Sequence, residues 1–181
     1  MIPRWSLGQW LLRVVIVLAP VGAEVASVPA GASLRVSFVV VLLLLALLFA
    51  LFPASLAGVL VLLLPMAWWA TSVDDPLHPM VLVAAAALLA CHVAALLASY
   101  VPDRLPLDPA LVRLWVRRAV LVFLPVPVVW VVADALAGEQ ERPAVWVGGL
   151  AVACVGAIVF TVVFGERPRE MREAFIDQGG L

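Results

Sequence analysis

Uninterrupted runs of apolar residues leave this chain little choice of solvent: from Val39 to Phe52, for instance, no side chain is polar. A transmembrane helix needs about 20 mostly apolar residues, roughly 17 at the least, because each adds about 1.5 Å across a hydrocarbon core about 30 Å thick. Six segments meet or approach that length, namely residues 11–30, 36–52, 55–72, 78–100, 118–137 and 144–164. The composition agrees, since 66% of the 181 residues are hydrophobic, only 13% are charged, and the mean hydropathy of +1.18 is outside the range of water-soluble domains. The predicted fold is all-α: a polytopic transmembrane helical bundle over residues 1–165, followed by a short tail over 166–181.

Arginine placement sets the predicted orientation, because cytoplasmic flanks collect basic residues whereas acidic residues have little say. All 11 basic residues are Arg, and neither Lys nor Asn occurs, as expected of a GC-rich bacterial genome. With six spans and both termini in the cytoplasm, nine arginines fall inside and only Arg35 and Arg142 outside, while the 12 acidic residues divide six and six. Aromatic residues give a second check, since Trp and Tyr favour the headgroup region. Trp5, Trp10, Tyr100 and Trp115 then mark the inner boundary and Trp68, Trp69 and Trp146 the outer one, with Trp130 somewhat deeper. The expected location is the bacterial cytoplasmic (inner) membrane.

Two alternatives change the number of spans but not the orientation. Arg4 and Arg13, the apolar stretch Val14 to Ala23 and Ala30-Gly31-Ala32 resemble a cleavable secretory signal, whose removal leaves five spans. Segments two and three are separated by little more than Pro53 and Ala54 and read as a tight helical hairpin; one that dips in and returns leaves four.

Ionisable residues within apolar spans call for a reason, because a charge in hydrocarbon costs several kcal/mol (about 2.5–3.5 on insertion scales). Glu24, His92 and Asp134 are the three candidates. Glu24 is expected to pair with Arg35 across the first outer connection, and His92 to hydrogen-bond to a neighbouring helix; a transport path would need all three to line one channel. On the outer loop, Asp74, Asp75 and His78 could ligate a cation or move a proton. The stronger reading of Asp75 and Pro76 is a helix opening, with the carboxylate accepting from the first turn. Cys91 and Cys154 fall in apolar runs and read as small buried thiols; no metal site or disulfide framework is expected.

Small residues supply the packing signal, since helices in lipid associate by close backbone approach. Gly149, Ala153 and Ala157 recur every four residues on the sixth segment, Ala90, Ala94 and Ala98 on the fourth, and Ala19 and Ala23 on the first. On the cytoplasmic side, Asp108 and Pro109 should open a helix that carries Arg113, Arg117 and Arg118 at the headgroup level. Pro125 and Pro127 should then bend the fifth span near its middle, as Pro65 should the third. In the tail, Met171 and Phe175 share one helical face that could dock a cytosolic partner.

Size, composition and Arg-rich loops together resemble the small, uncharacterised polytopic membrane proteins of high-GC actinobacteria. The resemblance implies an accessory role, in some members beside an AAA-type ATPase, and it carries no catalytic residues. No Walker sequence, His-Glu-x-x-His, Gly-x-Ser-x-Gly or Cys-x-x-Cys occurs, so neither an enzyme, a cofactor nor a nucleic-acid partner is expected. The leading expectation is an accessory or scaffolding subunit of a membrane complex. A small transporter or channel comes second, and a membrane enzyme built on the outer Asp/His cluster third.

Overall fold

Helices account for nearly all of the computed structural model, which describes residues 6–53, 55–100 and 108–137; no strand occurs among them. The residues up to Ala135 form one packed unit, which is described here, and the chain from Leu136 onward forms another. The expected sixth span, its Gly149-Ala153-Ala157 ridge and the tail lie outside the described residues.

Helix α1 (Leu7–Val25) opens at Ser6, whose hydroxyl accepts from Gln9 N–H at 3.4 Å and satisfies a first-turn donor. It continues through Pro20. A single 3-10 turn, Val28–Ala30, follows and closes at Gly31, which has φ +96, a conformation that glycine adopts without penalty. Helices α2 (Val36–Leu51) and α3 (Ala57–Ser72) have 16 residues each and form the expected hairpin around Phe52-Pro53. At about 1.5 Å per residue, each is about 24 Å long, which is short for a hydrocarbon core of about 30 Å. Helix α4 (Met80–Tyr100) has 21 residues. Helices α5 (Pro109–Phe123) and α6 (Pro125–Leu136) are separated only by Leu124, where the ring of Pro125 removes a backbone donor and breaks the helix as expected.

Three helical stretches, Leu7–Ala30, Met80–Tyr100 and Pro109–Leu136, are long and apolar enough to cross a membrane; Val36–Leu51 and Ala57–Ser72 are apolar but shorter. Five of the expected segments thus coincide with helices. The fourth starts at Met80 rather than 78, and the fifth begins at Pro109, so the basic approach helix and the span are consecutive parts of one path.

Helix α1 is the hub and packs against α2, α3 and α4. Its early residues Leu12, Val15 and Ile16 share a core with Ala46, Phe49 and Ala50 near the end of α2, Ala57 and Val61 near the start of α3, and Cys91 to Ala98 late in α4. Its last turn, with Ala23 and Ala26, meets Trp69 late in α3 and Ala84 early in α4. Successive helices therefore alternate in direction. The stacking of Trp115 on Tyr100 and the hydrogen bond from Trp130 to Leu77 O extend the alternation to α5 and α6.

Gln9, Arg13, Ile16, Pro20 and Ala23 of α1, with Ser27 in the turn after it, are buried in steps of four and three, and Glu24 is buried beside Ala23. That seven-residue repeat is the seam spacing of closely packed helix pairs. Across it, α4 presents Ala84, Ala87, Cys91, Ala94 and Ala98. The expected Ala90-Ala94-Ala98 ridge needs correction, because Ala90 is exposed. A strict four-residue spacing drifts by about 40° per step around a helix of 3.6 residues per turn, so it leaves the contact line that the repeat of three and four follows.

Candidate functional site

On α1 the usual arrangement of an amphipathic helix is reversed. Gln9, Arg13, Glu24 and Ser27 are buried, whereas Leu7, Leu11, Val14 and Leu18 face outward, Leu7 at 90% exposure. A helix with polar residues inward and apolar residues outward suits a lipid solvent, in which outward polar groups have no partner.

Arg13, Ser27 and Trp69 each find a backbone partner. The Arg13 guanidinium donates to the carbonyl of Ala50, next to the last residue of α2. Terminal helix carbonyls lack intrahelical donors and carry the negative end of the dipole, so a guanidinium satisfies both. Ser27 donates to Glu24 O at 2.7 Å, and Trp69 N–H donates to Ala23 O at 3.3 Å. Pro20 has no N–H to offer Ile16 O one turn back. That carbonyl accepts instead from the Cys91 thiol at 3.6 Å. Cys91 is thus buried as expected, and its thiol also replaces the hydrogen bond that Pro20 forfeits.

Glu24 finds none. It is fully buried, and neither carboxylate oxygen has a hydrogen-bond partner. The expected pair with Arg35 is not formed. Arg35 is exposed, with its guanidinium 5.8 Å from the Trp68 ring centroid, and Trp68 stacks on Phe38 at 4.6 Å. The tryptophan face supplies the electrostatic partner that the sequence assigned to the acid.

The α1–α2 and α3–α4 loops, expected to be the outer ones, are tied together by the backbone. Asp75 N–H donates to Ala30 O at 3.1 Å, and the Asp74 side chain lies so close to Gly31 that an added Cβ would be 2.7 Å from Asp74 Oδ2. Asp75 Oδ1 accepts from Leu77 N–H at 3.1 Å, a local turn rather than the expected cap of a helix starting at Pro76. His78 Nδ1 accepts from Met80 N–H at 3.3 Å, at the true start of α4. Asp75 and His78 therefore have separate backbone roles, and Asp74 packs against Gly31. No group of three His, Cys, Asp or Glu suited to a metal occurs among the described residues.

The remaining candidates are dispersed. His92 lies near the middle of α4, exposed and without a hydrogen-bond partner, and Asp134 is exposed on α6. Glu24, by contrast, is inside the bundle, so the three do not line a common path. At the opposite end from the outer loops, Asp108 accepts from Ala110 N–H at 2.8 Å and caps α5 as expected. Arg113 and Arg117 are exposed one turn apart, and the Arg118 guanidinium is 5.6 Å from the Trp115 ring centroid. The α1 seam and the Pro20–Cys91 relation escaped sequence reasoning; the four-three spacing of Gln9, Arg13, Ile16, Pro20, Ala23 and Ser27 was the available signal.

No known family model, curated protein or solved structure matches the chain.

Proposed function

We propose that the chain is a multi-pass protein of the bacterial cytoplasmic membrane, with six spans and both termini inside, that serves as an accessory or scaffolding subunit of a membrane complex. The observation that carries this reading is His92. An imidazole near the middle of a 21-residue apolar helix, exposed and without a hydrogen-bond partner among the described residues, is costly against acyl chains, and a polar group of another chain would satisfy it. The separate local roles of Asp74, Asp75 and His78 support a non-catalytic role. A cytosolic ATPase of the AAA type is one candidate partner on the inner face.

Photo-crosslinking tests the proposal. A photoreactive side chain in place of His92, in the full chain expressed in its own membrane, should capture a second protein, and His92→Leu should weaken co-purification in mild detergent. Adducts with lipid alone, with an unchanged set of co-purifying proteins in His92→Leu, would dismiss the subunit reading. A second reading, a small transporter or channel, is favoured by Glu24 alone, whose buried carboxylate has no internal partner. It is supported if Glu24→Gln abolishes ion or proton flux in reconstituted vesicles.

A further inference from the structure

Glu24 is the one fully buried acid among the described residues, and both of its carboxyl oxygens lack a hydrogen-bond partner. No basic group among the described residues stands ready to neutralise it. Arg35 is turned to the Trp68 ring. Arg13 lies eleven residues earlier on α1, about 16 Å along the axis, and donates to the carbonyl of Ala50.

The elements packed against α1 offer no cation either. Helices α2 and α3 have no ionisable side chain. On α4, Cys91 is buried on Ile16 O, His92 is exposed near the middle, and Tyr100 stands at the far end. The α3–α4 loop adds Asp74 and Asp75, of the same sign as a carboxylate, and His78, whose Nδ1 accepts from Met80 N–H.

The backbone oxygens of this turn are engaged as well. Glu24 O accepts from both the N–H and the hydroxyl of Ser27, Ala23 O from the Trp69 indole, and Gly22 O from Ala26 N–H. A hard metal cation needs several oxygens at once, whereas a proton needs one. A bare carboxylate sealed among apolar groups is the costliest form of this side chain, and one bound proton removes the charge.

We infer that Glu24 is a proton-binding site, occupied whenever the last turn of α1 is packed on Trp69 of α3 and Ala84 of α4. Because the carboxyl is sealed from water there, its proton is exchanged when that turn parts from those residues. The inference rests on the reading that the chain is embedded in a membrane, and it needs neither a transport path nor a partner subunit.

The test uses dicyclohexylcarbodiimide, an apolar reagent that enters bilayers and attacks protonated carboxyl groups. The acid proton passes to a carbodiimide nitrogen as the carboxyl oxygen bonds to the central carbon, so the adduct keeps every atom of both. The full chain in its own membranes should gain a single adduct, which peptide mapping by mass spectrometry places on Glu24. Glu24→Gln should lose it, Asp134→Asn should keep it, and an excess of sodium or lithium ions should leave it unchanged. Absence of an adduct on Glu24 overturns the site, and suppression of the adduct by sodium overturns the proton in favour of a metal cation. If Glu24→Gln fails to fold, mapping of the wild-type chain decides. Labelling of Glu24 together with unaltered flux in Glu24→Gln vesicles would keep the site and dismiss the transporter reading alone. Release of the chain from membranes by alkaline carbonate would instead indict the membrane reading on which the site rests.

Discussion

Arg13 is the residue at which sequence and structure differ most instructively. Along the chain it is an interruption of an apolar segment, yet in the fold its guanidinium completes the end of α2 through Ala50 O. Water is absent from the bilayer interior, so that carbonyl has no substitute donor. Arg13→Gln, whose side chain is too short to reach it, should lower stability by about 2–3 kcal/mol, with Arg13→Lys in between. The thermal unfolding midpoint of the detergent-purified chain is the check, and an unchanged midpoint in Arg13→Gln would remove the cap from the account. Charge counting could expect Arg13 near one end of the bundle, because it needs no partner. The partner of Arg13 was not legible, since 37 residues separate it from Ala50. Glu24 failed for a related reason: its expected partner, Arg35, turned to an indole instead.

Among elements, helix positions were well marked, because a lipid solvent turns every helix end into a cluster of polar or proline residues. Phe52-Pro53 and Asp108-Pro109 became boundaries as read, and Pro125, read as a bend within one span, became the start of α6. What periodicity could not supply was contact across the α2–α3 hairpin. There Phe49 packs directly on Gly58, and a Cβ on that glycine would be only 2.3 Å from Phe49 Cε2. The hairpin is tight because one helix offers a ring and the other no side chain at all. Gly58→Ala must push the buried ring aside and should cost about 1–3 kcal/mol, the usual range for overpacking. Gly22, around which an added Cβ meets nothing within 4 Å, supplies the control: Gly22→Ala should leave the melting midpoint of the same preparation intact or raise it. Equal behaviour of the two variants would contradict the packed hairpin. The ridge on α4 was misread by one position in its first member, because spacing alone cannot tell a four-residue stripe from a seam that alternates three and four.

At the scale of the whole molecule, the proposed orientation puts the arginine-rich end in the cytoplasm. In a Cys154→Ser background, where Cys91 is buried, Asp75→Cys should react with a membrane-impermeant maleimide added to intact cells. Arg113→Cys should react only after permeabilisation; the reverse pattern would invert the proposed orientation. Five of the helical segments and their order were legible from hydropathy, whereas the central place of α1 was not, because the residues that make it central also make it look like the weakest span. This placement bears on biogenesis. Helix α1, the one least suited to lipid on its own, is made before the helices it packs against and meets Cys91 only 75 residues later. At synthesis rates of about 5–20 residues per second, that delay is on the order of several seconds. The Arg13 guanidinium waits about half of it for Ala50, 37 residues on, so the cover of α1 is completed stepwise as its neighbours are made.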